Sequence, residues 1–235
     1  NATNKTLVWS SSNTDVATVD ESGLVTAVSP GSATILATAQ DGSGLVASCE
    51  VTVKQYVSSI SLSKNSLTAY TGISETLSVN FLPANASNKN FSVVSSNESI
   101  VKVTKSNQNI TVQPIAPGNA TITATSEDGE FTAICYVEVK QYVESIELSS
   151  TSETLYVGDS KQLTATVLPE NASDKSLKWE SSNSNIVKVD ENGLITALSS
   201  GTASIIATAQ DGSGLAANCE VTVKQYVSSI SLSET

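Results

Sequence analysis

The tripeptide Lys-Gln-Tyr stands at Lys54-Gln55-Tyr56, Lys140-Gln141-Tyr142 and Lys224-Gln225-Tyr226, at intervals of 86 and 84 residues. Cys49, Cys135 and Cys219 keep the same intervals, each five residues before the Lys. Asn-Ala-(Thr/Ser) recurs at Asn1, Asn85 and Asn171, following Pro83 and Pro169 by two residues in the later copies. A fixed period of this length means that one small folding unit is used again and again. Residues 1–63 align without gaps to 171–233, matching at roughly two-thirds of positions, far closer than either matches the middle copy. The middle copy carries two extra residues near Ser106-Asn107-Gln108-Asn109. The frame divides the chain into 1–56, a copy without its first strands; 57–142; 143–226; and 227–235, the first strand of a following copy. Copy one is not expected to fold alone, because a sandwich without those strands exposes an edge and part of its core. Two readings of the frame follow: a window on a longer array, or missing strands supplied by another molecule.

Inside a unit the apolar residues alternate. Ala203, Ile205 and Ala207 share a face, as do Cys219, Val221 and Val223, and Leu163, Ala165 and Val167. Leu177 with Trp179, Val187 with Val189 and Ile195 with Ala197 repeat the pattern. A period of two over short runs predicts half-buried strands, and no run holds a helical period. Asp20-Glu21-Ser22-Gly23, Asp190-Glu191-Asn192-Gly193, Asp41-Gly42-Ser43-Gly44 and Asp211-Gly212-Ser213-Gly214 punctuate the strands with tight turns. About seven strands in about 85 residues predict an antiparallel β-sandwich for each unit.

The motifs then run in a recognisable order. Val143-Glu144-Ser145-Ile146 is followed by Val157-Gly158-Asp159, Pro169-Glu170-Asn171-Ala172 and Trp179-Glu180-Ser181-Ser182. Val189-Asp190-Glu191-Asn192-Gly193-Leu194, Gly201-Thr202-Ala203 and Cys219-Glu220-Val221-Thr222-Val223 complete the unit. This resembles the bacterial immunoglobulin-like domain family, group 2, of intimin-type adhesins and other surface proteins, over essentially the whole chain. The middle copy departs from the pattern, with Val93 in place of Trp and no Val-Asp-x-x-Gly-Leu turn. The resemblance implies tandem immunoglobulin-like sandwiches outside a bacterial cell or on a phage virion, with no catalytic residues to carry over.

Composition narrows the chemistry. Twelve Lys against 23 Asp and Glu give a formal charge of -11. Such a chain is repelled by nucleic acid and by anionic membrane surfaces. No His is present, which removes His-based nucleophile systems and His-ligated metals. No apolar run reaches the ~20 residues of a membrane helix. No signal peptide is visible at the first residues, and no membrane insertion is expected of this segment. Each cysteine lies on an inward strand position, one per unit, so a buried core thiol is the favoured reading. Gly42-Ser43-Gly44-Leu45-Val46-Ala47 formally matches a dinucleotide-binding loop, but it lies between two strands and reads as a hairpin turn. The turn carboxylates Asp41, Asp190, Glu191 and Asp211 are the candidates for calcium. They lack the 1-3-5 ligand spacing, so solvated turns are the favoured reading and no cofactor is expected. The eight Asn-x-(Ser/Thr) sequons, Asn1 among them, matter only if a eukaryotic secretory pathway makes the chain.

The junction is the most informative feature for function. Val221 and Val223 close one unit, and Val227, Ile230 and Leu232 open the next with no Gly, Pro or Ser spacer. A linker this short limits bending, and Tyr56, Tyr142 and Tyr226 are expected to pack at the junctions. The sequence thus predicts all-β sandwiches arranged as a rod, a non-enzymatic stalk or spacer whose partners are neighbouring copies of the same or another chain. Two alternatives are domains that bind a host surface protein or glycan, and a filament or virion-decoration subunit in which Val227, Ile230 and Leu232 form a donated strand. The odd loop Lys105 to Gln108 lacks aromatics, which counts against direct adhesion through it.

Overall fold

The computed structural model describes residues 4–232, and among them only strands are regular. Copy one contributes β1 (Leu7–Ser11), β2 (Ala17–Val19), β3 (Val25–Ala27), β4 (Gly31–Ala39) and β5 (Val46–Val53). Copy two contributes β6 (Ser59–Leu62), β7 (Ser66–Tyr70), β8 (Glu75–Leu82), β9 (Phe91–Ser95), β10 (Val101–Ser106), β11 (Asn109–Pro114), β12 (Gly118–Ser126) and β13 (Thr132–Lys140). Copy three contributes β14 (Ser145–Leu148), β15 (Ser152–Tyr156), β16 (Ser160–Gln162), β17 (Ala165–Leu168), β18 (Leu177–Ser181), β19 (Val187–Val189), β20 (Leu194–Ala197), β21 (Gly201–Ala209) and β22 (Ala216–Lys224).

Every sheet draws its strands from one copy. Copy two forms the sheets β10-β11-β8-β6 and β7-β13-β12-β9, and copy three forms β15-β22-β21-β18, β16-β20-β19 and the pair β14-β17. Packing nevertheless groups the residues into two compact units that do not follow the repeat. One runs to Leu67 and adds Ser74–Gln113 and Ala120–Val137. The other holds Thr68–Ile73, Pro114–Asn119 and everything from Glu138 onward.

The alternation of apolar residues produces the core. In copy three Leu163, Val187, Ile195, Ile205, Cys219 and Val221 are wholly buried, with Trp179 and Val189 packed against them at partial exposure. Each such aliphatic side chain contributes about 1.5–3 kcal/mol on burial. The Asp-x-x-Gly turn is shaped to this core. Asp190 Oδ1 accepts the amides of Asn192 at 2.9 Å and Leu194 at 2.8 Å, and Gly193 follows at φ 83°. A Cβ on Gly193 would sit 2.9 Å from the Trp179 ring and 2.7 Å from the Leu163 carbonyl oxygen, so only glycine lets the ring lie under the turn.

Three expectations are corrected. The sandwich is not wholly antiparallel: β15 runs parallel to β22, with Ser152 opposite Glu220 and Tyr156 opposite Lys224. The chain leaves β14 in one sheet and enters the other sheet beside its last strand, which fixes that direction. The middle copy's extra length is also distributed differently. Val112 pairs with Glu75 where Ile195 pairs with Lys161, so the turn between β10 and β11 is three residues longer. The turn between β12 and β13 is one residue shorter, with five residues between strands in place of six.

The third correction is Cys49. Cys135 and Cys219 are buried, but Cys49 is exposed. Among the described residues Val16, Ala17 and Ala33 form a small buried cluster in copy one, with Val51 and Val53 against it, and Ile35 is buried beside them in β4. A hollow of about 650 Å³ beside Trp9 replaces one of about 370 Å³ beside Trp179, where Leu163 lines the wall.

The segment expected to open a following copy lies at the end of the described residues. Val227, Ile230 and Leu232 take no strand conformation and are 79%, 87% and 94% exposed. Their sequence, Val-Ser-Ser-Ile-Ser-Leu, repeats Val57–Leu62, whose β6 pairs with β8.

Candidate functional site: the Lys-Gln-Tyr junction

The Pro-x-Asn-Ala-Ser motif and the Lys-Gln-Tyr motif meet. At residues 169–173 a turn closed by the Ala172 amide on the Pro169 carbonyl (3.0 Å) presents Ser173. The Gln141 amide donates to Ser173 Oγ at 2.9 Å, and the Ser173 amide donates back to the Gln141 carbonyl at 2.9 Å. The first copy boundary repeats this, with Gln55 to Ser87 Oγ at 2.9 Å and the Ser87 amide to Gln55 at 2.8 Å. The corresponding Asn1 motif lies outside the described residues. Each Gln side chain also turns back on the linker, Gln141 Nε2 reaching the Tyr142 carbonyl at 3.3 Å and Glu144 Oε1 at 3.0 Å.

The next residues are held by a carboxylate. The Val143 amide donates to Asp211 Oδ2, and the Val57 amide donates to Asp128 Oδ2 at 2.9 Å. Asp211 and Asp128 sit in the hairpin turns after β21 and β12, so each unit's longest hairpin hooks the chain that enters the unit. Val143 and Val57 are then buried, Val143 beside Ala172 and Ala209 with Ile146 and Leu215 around them. Burial pushes the Asp211 carboxyl up. The Ser213 hydroxyl at 2.6 Å and the amides of Val143 and Ser213 outweigh it and hold the group below its ordinary value.

The tyrosine faces the other way. Tyr142 stacks on Tyr70 at the end of β7, with ring centroids 3.9 Å apart and planes 3° from parallel. Thr71 donates its amide (2.9 Å) and its hydroxyl (3.2 Å) to the Lys140 carbonyl. Tyr70, Thr71, Lys140, Tyr142, Ser173 and Asp211 all belong to the second compact unit. The Tyr70 hydroxyl beside Tyr142, then burial, then the charges of Tyr70 and Asp211 raise the Tyr142 phenol above its ordinary value. Tyr226 stacks on Tyr156 in the same way, at 4.0 Å and 4°, yet remains 70% exposed. Tyr56 has no stacked ring among the described residues and is 67% exposed.

The calcium candidates are not brought together. Asp41 Oδ1 accepts the Ser43 amide at 2.9 Å, Asp190 and Asp211 hold turn amides as described, and Glu191 is exposed on its own turn. Among the described residues no group of three or more Asp, Glu or Cys side chains converges as a metal site. In the loop expected to be irregular, Lys105 Nζ donates to the Phe91 carbonyl at 2.7 Å and lies 4.4 Å from that ring's centre.

Against known proteins, the model of the bacterial Ig-like domain (group 2) matches residues 1–51, 56–137 and 142–221. The chain belongs to this family. An uncharacterized protein of Clostridium acetobutylicum is 35% identical over 170 residues, 72% of this chain and 17% of that protein. An alpha-L-arabinofuranosidase of Bifidobacterium longum subsp. longum is 44% identical over 71 residues, 30% of this chain and 7% of the enzyme. The chain thus spans under a quarter of the length of these relatives. Among solved structures, invasin, described as a bacterial integrin-binding protein, shares 16% identity over 92% of this chain and 51% of its own, with TM-score 0.45. Domains 4 and 5 of the S-layer protein SbsC share 20% identity over 58% of this chain and 78% of theirs, with TM-score 0.35. The group 2 domain is an immunoglobulin-like sandwich without catalytic machinery.

Sequence reasoning named the tyrosines of the junction and missed their partners. Ser87 and Ser173 were readable only as part of a family motif, and Asp128 and Asp211 only as turn residues. The signal that joins them is their co-occurrence with each complete linker, the serine 32 residues after the Gln in both copies and the aspartate 71 and 68 residues after the Val.

Proposed function

We propose that this chain is a non-enzymatic spacer segment of a surface or fibre protein, in which tandem domains carry another part of the molecule away from its anchor. The observation that carries the reading is the linker. From Lys140 to Val143 every residue is engaged, Lys140 and Tyr142 by Thr71 and Tyr70, Gln141 and Val143 by Ser173 and Asp211. A tether of four residues with both ends hydrogen-bonded has little freedom to swing. A single copy also recurs as a small fraction of a much longer bacterial enzyme, as expected of a module added for reach and not for chemistry. A net charge of -11 keeps neighbouring chains apart.

Small-angle scattering on the 235-residue chain tests this. An extended particle that stays extended across salt concentrations is expected. A compact particle, or one whose dimensions require free rotation at residues 140–143, would overturn the spacer reading.

A further inference from the structure

The repeats provide their own control for finding a binding surface. On the outward face of the sheet β7-β13-β12-β9, copy two carries Val94, Ile134 and Tyr136, which are 59%, 43% and 65% exposed. The corresponding residues are Glu180, Asn218 and Glu220 in copy three, and Ser10, Ser48 and Glu50 in copy one. Three positions that are polar in both other copies are apolar or aromatic together in one. They are also neighbours. Val94 lies opposite Thr123, and the corresponding residues of copy three, Glu180, Ile206 and Asn218, form one continuous cross-strand row. Tyr136 stands two residues further along β13, its amide held at 2.9 Å by the Asn65 carbonyl. Core packing does not explain the change, since these side chains point away from Cys135 and Val137, which are buried on the other face.

Around the three lie Thr121, Thr123 and Thr125, partly exposed on β12. The middle of this face therefore has one aromatic ring, two aliphatic side chains and a row of hydroxyls, and the charges next along β13, Glu138 and Lys140, are paired with each other at 3.6 Å. Hydroxyls both donate and accept hydrogen bonds, and a tyrosine offers an apolar ring with a polar tip. Side chains recur about every 6.8 Å along a strand and about 4.8 Å between strands, a flat and regular array. A second copy of the chain is a poor occupant, because each copy brings a charge of -11. A protein partner generally buries about 20–30 residues a side around an apolar centre, far more than three apolar side chains beside a row of hydroxyls and one ion pair. An acidic polymer meets the repulsion of the whole chain.

We propose that this face of copy two, centred on Tyr136, Ile134 and Val94, binds an uncharged polysaccharide. The ring packs on the C–H face of a sugar, and the Thr hydroxyls exchange hydrogen bonds with sugar hydroxyls. This goes beyond the spacer reading and does not depend on it, since binding is read without reference to the particle's length.

Affinity electrophoresis of the 235-residue chain in gels cast with arabinoxylan, galactomannan or mixed-linkage β-glucan, with polygalacturonate as the acidic control, tests it. Retardation is expected in at least one neutral gel and not in polygalacturonate. Val94→Glu and Tyr136→Glu introduce the residues that copy three already carries at these places, so the fold is kept. Each should weaken retention at least tenfold with an unchanged thermal melt. The converse triple change in copy three, Glu180→Val with Asn218→Ile and Glu220→Tyr, should strengthen retention. No retardation in any neutral gel, or retention that both Glu variants leave intact, would overturn the proposal. So would self-association that the same two variants abolish, which would assign the face to a second copy.

Discussion

Tyr142 and Tyr56 close identical tripeptides, yet one lies against a ring and the other stands in solvent. Tyr142 has Tyr70 at 3.9 Å, whereas Tyr56 has no stacked ring among the described residues. Their forward halves do not differ in this way: Gln55 and Gln141 both pair with a serine, and Val57 and Val143 are both buried. Tyr226 shows the opposite half, stacked behind on Tyr156 while Val227 ahead of it is exposed. The junction is thus made of two sets of contacts. A backward one needs the second strand of the preceding unit, and a forward one needs the Ser loop and the Asp hairpin of the following unit.

Each half can be broken separately. The largest effect is expected at the buried valine. Val143→Ala removes two methyl groups and leaves a small cavity, costing about 2 kcal/mol in the stability of its unit. Val227→Ala, at an exposed site, should stay within about 0.5 kcal/mol. Denaturant melts of the two variants check this, and equal costs would mean that Val143 is not held as described.

Next is the stack. Tyr142→Ala should cost about 1 kcal/mol, the worth of an aromatic pair, while Tyr56→Ala should cost almost nothing. Exchange of the Thr71 amide, measured in both variants, reads the backward half directly and should accelerate only for Tyr142→Ala. Ser173→Ala removes the acceptor of the Gln141 amide and should cost about 1 kcal/mol, with Ser87→Ala matching it at the other boundary. A large difference between the two serines would break the claim that the forward halves are equivalent.

The smallest effect is that of acid. Asp211 has a lowered carboxyl in the folded chain, so its contribution is fully present above the ordinary value of 3.8. It is lost as the pH falls below that value through the lower folded one. A modest loosening at the Val143 amide is therefore expected below about pH 4, and none between pH 5 and 8. Asp211→Asn, which keeps an acceptor oxygen, should flatten this acid response when amide exchange is followed against pH.

Much of this fold was legible in the residues. Alternation placed Ile205, Cys219, Val221 and Ile195 inward, and all are buried. The Asp-x-x-Gly turns marked the hairpin that caps Trp179. What stayed hidden depends on strands far apart in the chain. Cys49 follows the same local pattern as Cys219, yet one is exposed and the other buried, because burial is set by what packs over a strand and not by the strand's own alternation. The parallel pairing of β15 with β22 leaves no local signature, because a strand's own sequence does not say which edge it joins. The attachment of Gln141 to Ser173 joins residues 32 apart through a backbone amide, which any residue but proline could supply. The copy-two face was readable, by setting positions 94, 134 and 136 beside their counterparts, but attention to loops passes over it.

The central claim is that the linker between Lys140 and Val143 is held on both sides, and native-state hydrogen exchange on the intact chain measures it most directly. The amides of Gln141, Val143 and Ser173 are predicted to exchange as slowly as those of Cys219 and Val221 in β22. Exchange of these three as fast as the amides of Ser228 to Ser231, which have no ladder partner, would contradict the account.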